Sequence, residues 1–291
     1  PHDVWLTDVG RRERPRQGLF MKWIFGVAAM AACANLWASV SPLASPCVLT
    51  VGAVVGTHPT LEVAALLEAA PTKDEFQTSE QHVANVKAFL ATLPAQVQGG
   101  QLCVSPIADQ KFFDYDADAQ VLWANVEAAS GTRIFRTAHG RITVRDVVSD
   151  EWDSVISDRV MTNALGVSVD GLHATGKAAS VGFTSEQMDA FHRKLPYHRF
   201  KSAYGTKAMS MLMDPNQARD VKPHAMLVFQ YRLRSPYLAQ GTDVHAATMD
   251  SPGSFAIEKS VVLGDLIAVG IVDGRTGEVL AVTRNEADPA L

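Results

Sequence analysis

The sequence predicts an α+β fold built mainly from antiparallel strands, with a few short helices and an N-terminal signal segment outside the fold. Three observations carry that prediction. Short runs rich in β-branched and aromatic residues recur through most of the chain, bounded by Gly, Pro, Asn or Asp. Only a few segments show helical spacing with a recognisable start. Strands and helices do not alternate regularly, which argues against a doubly wound parallel sheet. With 47% hydrophobic and 20% charged residues, the composition suits a chain with a packed core rather than a disordered one.

The stretch Met21–Ser45 (MKWIFGVAAMAACANLWASVSPLAS) has the order of an export signal: a lysine, an apolar run from Trp23 to Ala34, then small residues. The run is shorter than the roughly 20 residues a membrane span needs. Residues 1–20 read as an extension upstream of an initiator at Met21. The alternative is a longer basic leader with Arg11, Arg12, Arg14 and Arg16. Cleavage is expected after Ala34 or Ala38, and Met30-Ala31-Ala32-Cys33 loosely resembles a lipid-attachment signal on Cys33. The expected location is therefore periplasmic or secreted. Residues 46–200 then form an α+β region and 201–291 a strand-rich region, divided by a break in composition near Pro196–Thr206 or merged into one domain.

Along the remaining chain, Val48–Val55 is a β-branched run expected to be a buried strand. Thr60–Ala70 is helix-forming and stopped by Pro71. Thr78 with Gln81 makes a capping box, and Val83, Val86, Leu90 and Leu93 follow at helical spacing. Leu102–Ile107, Val121–Val126, Arg133–Thr137 and Ile142–Val148 read as short strands, as does most of Val155–Phe183. Thr184 with Gln187 repeats the capping box and opens a helix to about Leu195. Lys207–Met213 alternates as a strand, Asp214-Pro215 starts a short helix to Val221, and Ala225–Leu233 is strongly β. Val261–Val272 and Glu278–Thr283 flank Asp273-Gly274-Arg275-Thr276-Gly277 as a hairpin.

Residues 1–44 carry five basic and three acidic groups, so the formal charge of −5 for the whole chain becomes −7 for the remainder. An acidic surface gives no reason to expect nucleic acid as a partner. With Cys33 in the signal, Cys47 and Cys103 are left, 56 positions apart, and one disulfide is expected in an oxidising compartment.

Four segments are candidate sites. Gly171–Lys177 fits a phosphate-loop spacing, but Ala178 stands where a magnesium-holding hydroxyl is required, so a glycine-bearing hairpin turn is the preferred reading. Asp114, Asp116 and Asp118 resemble the start of a calcium loop, although Ala119 and Asn125 stand where Gly and Glu belong. Met209, Met211 and Met213 alternate on one strand face, as soft ligands for Cu(I) or as core filler. Arg193, Lys194, Arg199 and Lys201, with His192 and His198 around Tyr197 and Phe200, form a basic-aromatic stretch suited to an anionic surface polymer or an envelope partner. No linear motif for nucleophilic, zinc or dinucleotide chemistry is present, and no cofactor is expected.

At PTKDEFQTSEQ, YDADAQV, VMTNALGVSV and VDGRTGEVLAV the chain resembles a group of uncharacterised exported bacterial proteins, periplasmic or lipoprotein-like. The resemblance implies an envelope location and supplies no activity. The expected function is a non-enzymatic binding or interaction module of the cell envelope. The alternatives are a periplasmic hydrolase with a site assembled from distant residues, and a copper- or calcium-binding protein.

Overall fold

The computed structural model describes residues 47–98, 101–107, 112–137, 140–200, 205–249 and 252–285. The signal segment read at Met21–Ser45, its Cys33, and Lys201 of the basic stretch lie outside the described residues. Helix α1 (Thr60–Glu68) starts after Pro59 and ends short of Pro71. Helix α2 (Ser79–Leu90) opens on the complete capping box. Gln81 N–H donates to Thr78 Oγ1 at 3.2 Å and Thr78 N–H to Gln81 Oε1 at 2.9 Å. The single turn α3 (Ala95–Gln98) leads into strands β1 (Leu102–Val104), β2 (Phe113–Asp116), β3 (Val121–Asn125) and β4 (Gly131–Thr137). The long strands β5 (Gly140–Thr162) and β6 (Ser168–Thr184) follow, then helix α4 (Ser185–Lys194). The chain continues through β7 (Tyr197–Arg199), β8 (Gly205–Leu212), helix α5 (Pro215–Val221), β9 (Ala225–His245), β10 (Ser254–Asp273) and β11 (Glu278–Arg284).

The β9–β10 pair runs through both parts of one seven-stranded sheet. Its distal half pairs with β6, and β6 with β5, β5 with β4, and β4 with β9 through Arg136 and Gln240, so five strands close into a ring. Its proximal half carries β1 on one edge and β11 on the other, making an open sheet. Pairing is antiparallel except between β6 and β10, which run parallel. A second sheet, in the order β2-β3-β8-β7, lies apart from this system. Strands from either side of Pro196–Thr206 thus pair with one another, and the described residues fall in one unit, Ser41–Leu291.

Alternation along the strands sorts side chains into three cores. Inside the ring pack Phe135, Val144, Ala239, Val261 and Leu263. Outside it, Val147, Val181, Phe183 and Val262 join Val63 and Leu67 of α1, Met188 and Phe191 of α4, and Leu122 and Met209 of the second sheet. The other face of the open sheet buries Val228, Ala268 and Val279 against Cys47 and Leu49.

That last core corrects one expectation. Val48–Val55 is not a strand: it crosses the open sheet as a strap, with one bridge from Val54 to Glu278. Backbone bonds tie it to the closing hairpin (Gly52 N–H to the Val279 carbonyl at 2.8 Å, Val279 N–H to the Ala53 carbonyl at 2.8 Å and Val55 N–H to the Gly277 carbonyl at 2.9 Å), and side chains add to them. Gln230, 1% exposed, accepts the Leu49 N–H at 3.3 Å and donates to the Cys47 carbonyl at 3.0 Å. Arg284 donates to the Leu49 carbonyl at 3.1 Å, and Cys47 is disulfide-bonded to Cys103 on β1, Cα atoms 5.6 Å apart. Gly277, at φ +74°, lets the hairpin turn approach the strap, since a β-carbon there meets the Val55 carbonyl oxygen at 2.8 Å.

Gly171–Lys177 also differs from expectation. It lies inside β6, while the turn is at Asn163–Val167, where Asn163 Oδ1 accepts the N–H groups of Leu165 and Val167 at 2.9 and 3.0 Å. Gly171 serves packing: a β-carbon there is 2.1 Å from the Pro252 carbonyl oxygen. The second capping box is half formed. Thr184 Oγ1 accepts the Gln187 N–H at 3.3 Å, but the Gln187 side chain reaches Asp265 at 2.6 Å instead of returning to the cap.

The disulfide closes a 56-residue separation, for which chain entropy alone gives about 4 kcal/mol. Reduction with dithiothreitol is expected to lower the unfolding free energy by that order in a urea titration. A change below about 1 kcal/mol contradicts it.

Candidate functional site

A cleft of about 1140 Å³ opens on the outer wall of the ring, bounded by the end of α1, the segment after it, and α2. Its floor comes from outward-facing residues of neighbouring strands. Lys177 of β6 stands beside Glu258 of β10, and Glu258 beside Thr242 of β9. Trp152 of β5 pairs with Lys177, and Arg136 of β4 with Gln240.

Two irregularities shape the walls. On β5 the register slips between Trp152 and Val155, with Asp153 at φ +54°. On β9, the four residues Arg234–Tyr237 stand opposite Leu263 alone, and Tyr237 sits at φ +70°. A left-handed tyrosine costs roughly 1–3 kcal/mol. Bulges of this kind redirect side chains at barrel rims, and Trp152 and Tyr237 both line the cleft. Burial pushes the Tyr237 phenol above its ordinary pKa.

Behind the floor, inside the ring, lies a chain of charges. Lys259 Nζ is 3.1 Å from Asp146 Oδ2 and 3.2 Å from Asp243 Oδ2, and Arg133 Nε is 2.9 Å from that same Asp243 oxygen. The Lys259 and Asp146 side chains are 6% and 2% exposed, so both are largely withdrawn from water. Burial alone pushes the Asp243 carboxyl up; the charges and hydrogen bonds of Lys259 and Arg133 outweigh it and hold it below the usual carboxylate range. Two cations and two anions balance, so the network fixes the ring rather than presenting a charge to a ligand.

The structure places the sequence candidates as follows. Met209 and Met213 are buried and Met211 is packed against them, all in the central core. Asp116 Oδ1 accepts the N–H groups of Asp118 and Ala119, each at 3.0 Å, closing the β2–β3 turn. Asp114 points instead to His198, whose Nε2 lies 3.7 Å from its Oδ2. Among the described residues no group of three or more His, Cys, Asp or Glu is arranged to hold a metal.

The basic stretch is divided. His192 is buried, its pKa lowered by burial and by Arg145. His198 stacks on Trp123 with ring centroids 4.3 Å apart and meets Phe200 edge-on at 4.7 Å. Arg193, Lys194 and Arg199 remain exposed.

For acid–base chemistry the structure offers two separate pairs. His173 Nδ1 is 2.8 Å from Ser254 Oγ on the large sheet, and Asp114 faces His198 on the small one. Serine, histidine and aspartate are not joined into one constellation by these contacts. Sequence reading missed Trp152, Tyr237, Arg136 and the Lys259 network.

Comparison with protein-family models, curated proteins and solved structures finds no match.

Two outcomes follow from this geometry. Lys259→Met leaves two carboxylates facing each other in the ring and is expected to cost about 3–5 kcal/mol in urea unfolding. Because the folded pKa of Asp243 is depressed, its contribution is present above the unfolded value of about 3.9 and is lost as pH falls through the lower folded value. An acid-stability profile identical in Lys259→Met and wild type contradicts this. Protein loaded with Cu(I) or Ca²⁺ and then dialysed is expected to retain far less than one equivalent by elemental analysis, since the methionines are packed in the core and Asp116 is engaged by its own turn.

Proposed function

We propose that the protein is a non-enzymatic binding module of the cell envelope and that its ligand occupies the cleft on the outer wall of the ring. The cleft carries the reading: an open groove of mixed polar and apolar lining, with Trp152 beside one bulge and Tyr237 on another at its walls. Flat aromatic faces beside hydrogen-bonding Gln240 and Thr242 suit an extended polar chain lying along the sheet. Such a ligand needs a wide, shallow surface rather than an enclosed pocket.

Support for an exported location comes from the signal-like order of Met21–Ser45 and from the disulfide, because such bonds persist in oxidising compartments. No helix among the described residues is long and apolar enough to cross a membrane. The alternative of a hydrolase draws on Asp114–His198, a part-buried pair on the opposite sheet from the cleft.

The test is a titration with neutral dextran, polygalacturonate and dextran sulfate, followed by the ¹⁵N-indole signal of Trp152, assigned with Trp152→Phe. At least one polymer is expected to shift that signal saturably, with less effect on Trp123, which stacks on His198 in the other sheet. No shift with any of the three overturns the reading.

A further inference from the structure

Arg136 on β4 and Arg141 on β5 stand directly opposite each other in the antiparallel register. Directly opposed side chains project from the same face, with β-carbons about 5 Å apart. Both arginines are exposed, both line the cleft, and among the described residues neither has an acidic partner. The neighbouring arginines differ. Arg133 is engaged by Asp243 and Arg145 by Asp189, each at 2.9 Å.

Like charges opposed across a strand pair destabilise it. The β4–β5 hairpin therefore carries an electrostatic cost that an anion bridging the two guanidinium groups removes. Guanidinium is also the side chain best matched to planar or tetrahedral oxyanions, because it offers parallel N–H donors. Lys177 adds a third cation on the same wall, partly offset by Asp153 at 3.6 Å. Glu258 lies between Lys177 and Thr242, so the cationic end of the cleft is the Arg136–Arg141 lip and not its floor.

We infer that the cleft binds an acidic polysaccharide, with a sulfate or uronate group held between Arg136 and Arg141 and sugar rings laid against Trp152 and Tyr237. This rests on the binding-module reading and narrows it to a ligand class. Saccharide fits the site better than nucleic acid, since the two arginines form one local clamp and the surrounding protein is acidic, at −5 for the whole chain. The clamp also differs from the exposed Arg193, in the last turn of α4, and Arg199, on β7, neither of which lines the cleft.

The experiment compares affinities of the full chain for dextran sulfate, polygalacturonate and neutral dextran at low salt. Two double variants accompany wild type: Arg136→Gln with Arg141→Gln, and Arg193→Gln with Arg199→Gln. The expected result is at least tenfold preference for one acidic polymer over dextran. The cleft variant should lose that preference while the second variant changes affinity less than twofold. The better of the two acidic polymers identifies sulfate or carboxylate as the recognised group. The cleft variant should also unfold at equal or higher urea than wild type, since it removes the opposed charges.

Equal binding of dextran and the acidic polymers, with Trp152 still shifted, overturns this inference and leaves the binding module standing. Equal loss in both double variants assigns the effect to general surface charge and overturns it as well. Failure of every polymer to bind removes both readings.

Discussion

Everything in this molecule hangs on one pair of strands, β9 and β10. Their register runs from Ala225 opposite Asp273 to His245 opposite Phe255, so the two stay hydrogen-bonded through almost their full lengths. No ordinary sheet needs strands of some twenty residues; the usual length is about five or six. The length is used twice. Half of the pair closes the ring with β4, β5 and β6, and the other half carries the open sheet. The four-residue excess at Arg234–Tyr237 is where the pair passes from one system to the other. A uniform twist cannot serve both a closed ring and an open sheet, and a bulge supplies the local change of direction. The strained Tyr237 is thus a consequence of topology before it is part of a site.

Closing a five-stranded ring leaves little interior volume, which explains what fills it. At one end Phe135, Val144, Val261 and Leu263 pack, and small residues (Ala239, Gly182) make room for them. Toward the other end Lys259, Asp146, Asp243 and Arg133 take over. Buried ion pairs contribute little net stability compared with apolar packing, while removing one partner is expensive. The network fixes register more than it stabilises: shifting β10 by one residue moves Lys259 to the outer wall and leaves two aspartates inside. Helices α1 and α4 then cover the apolar part of the outer wall, and the uncovered part becomes the floor of the cleft.

Local features were the legible ones. The capping box at Thr78, the Asp214-Pro215 helix start and the closing Asp273–Gly277 hairpin each depend on neighbouring residues, and each forms as its sequence implies. Val48–Val55 misled because its β-branched residues are mostly exposed and form no regular strand, so the run reports neither burial nor pairing. Only Leu49 is buried, Val48, Val51 and Val54 are exposed, and the segment is tied down by the disulfide beside it, by its backbone bonds to β11 and by Gln230, about 180 positions away. Gly171–Lys177 misled because glycines needed for close packing look like glycines needed for a turn. The site was the least legible part. Trp152 and Tyr237 meet the same cleft only through bulges, and Lys259 finds Asp146 across 113 positions. Spacing in a sequence carries no trace of such contacts.

The charge balance places a condition on how the cleft works. A protein at −5 overall repels an acidic polymer at long range, so diffusional steering does not assist the encounter. At physiological ionic strength that repulsion fades beyond about 8 Å. What is left at shorter distance is the lip, where two guanidinium groups face one another and no described acid answers them. Selectivity in such a site comes from fitting one anionic group between two fixed donors, with neutral rings on the aromatic walls. A general basic surface does the reverse, attracting every polyanion at range and discriminating little among them. The exposed Arg193 at the end of α4 and Arg199 on β7 have that second character. Arg136 and Arg141 have the first because the β4–β5 register holds them together.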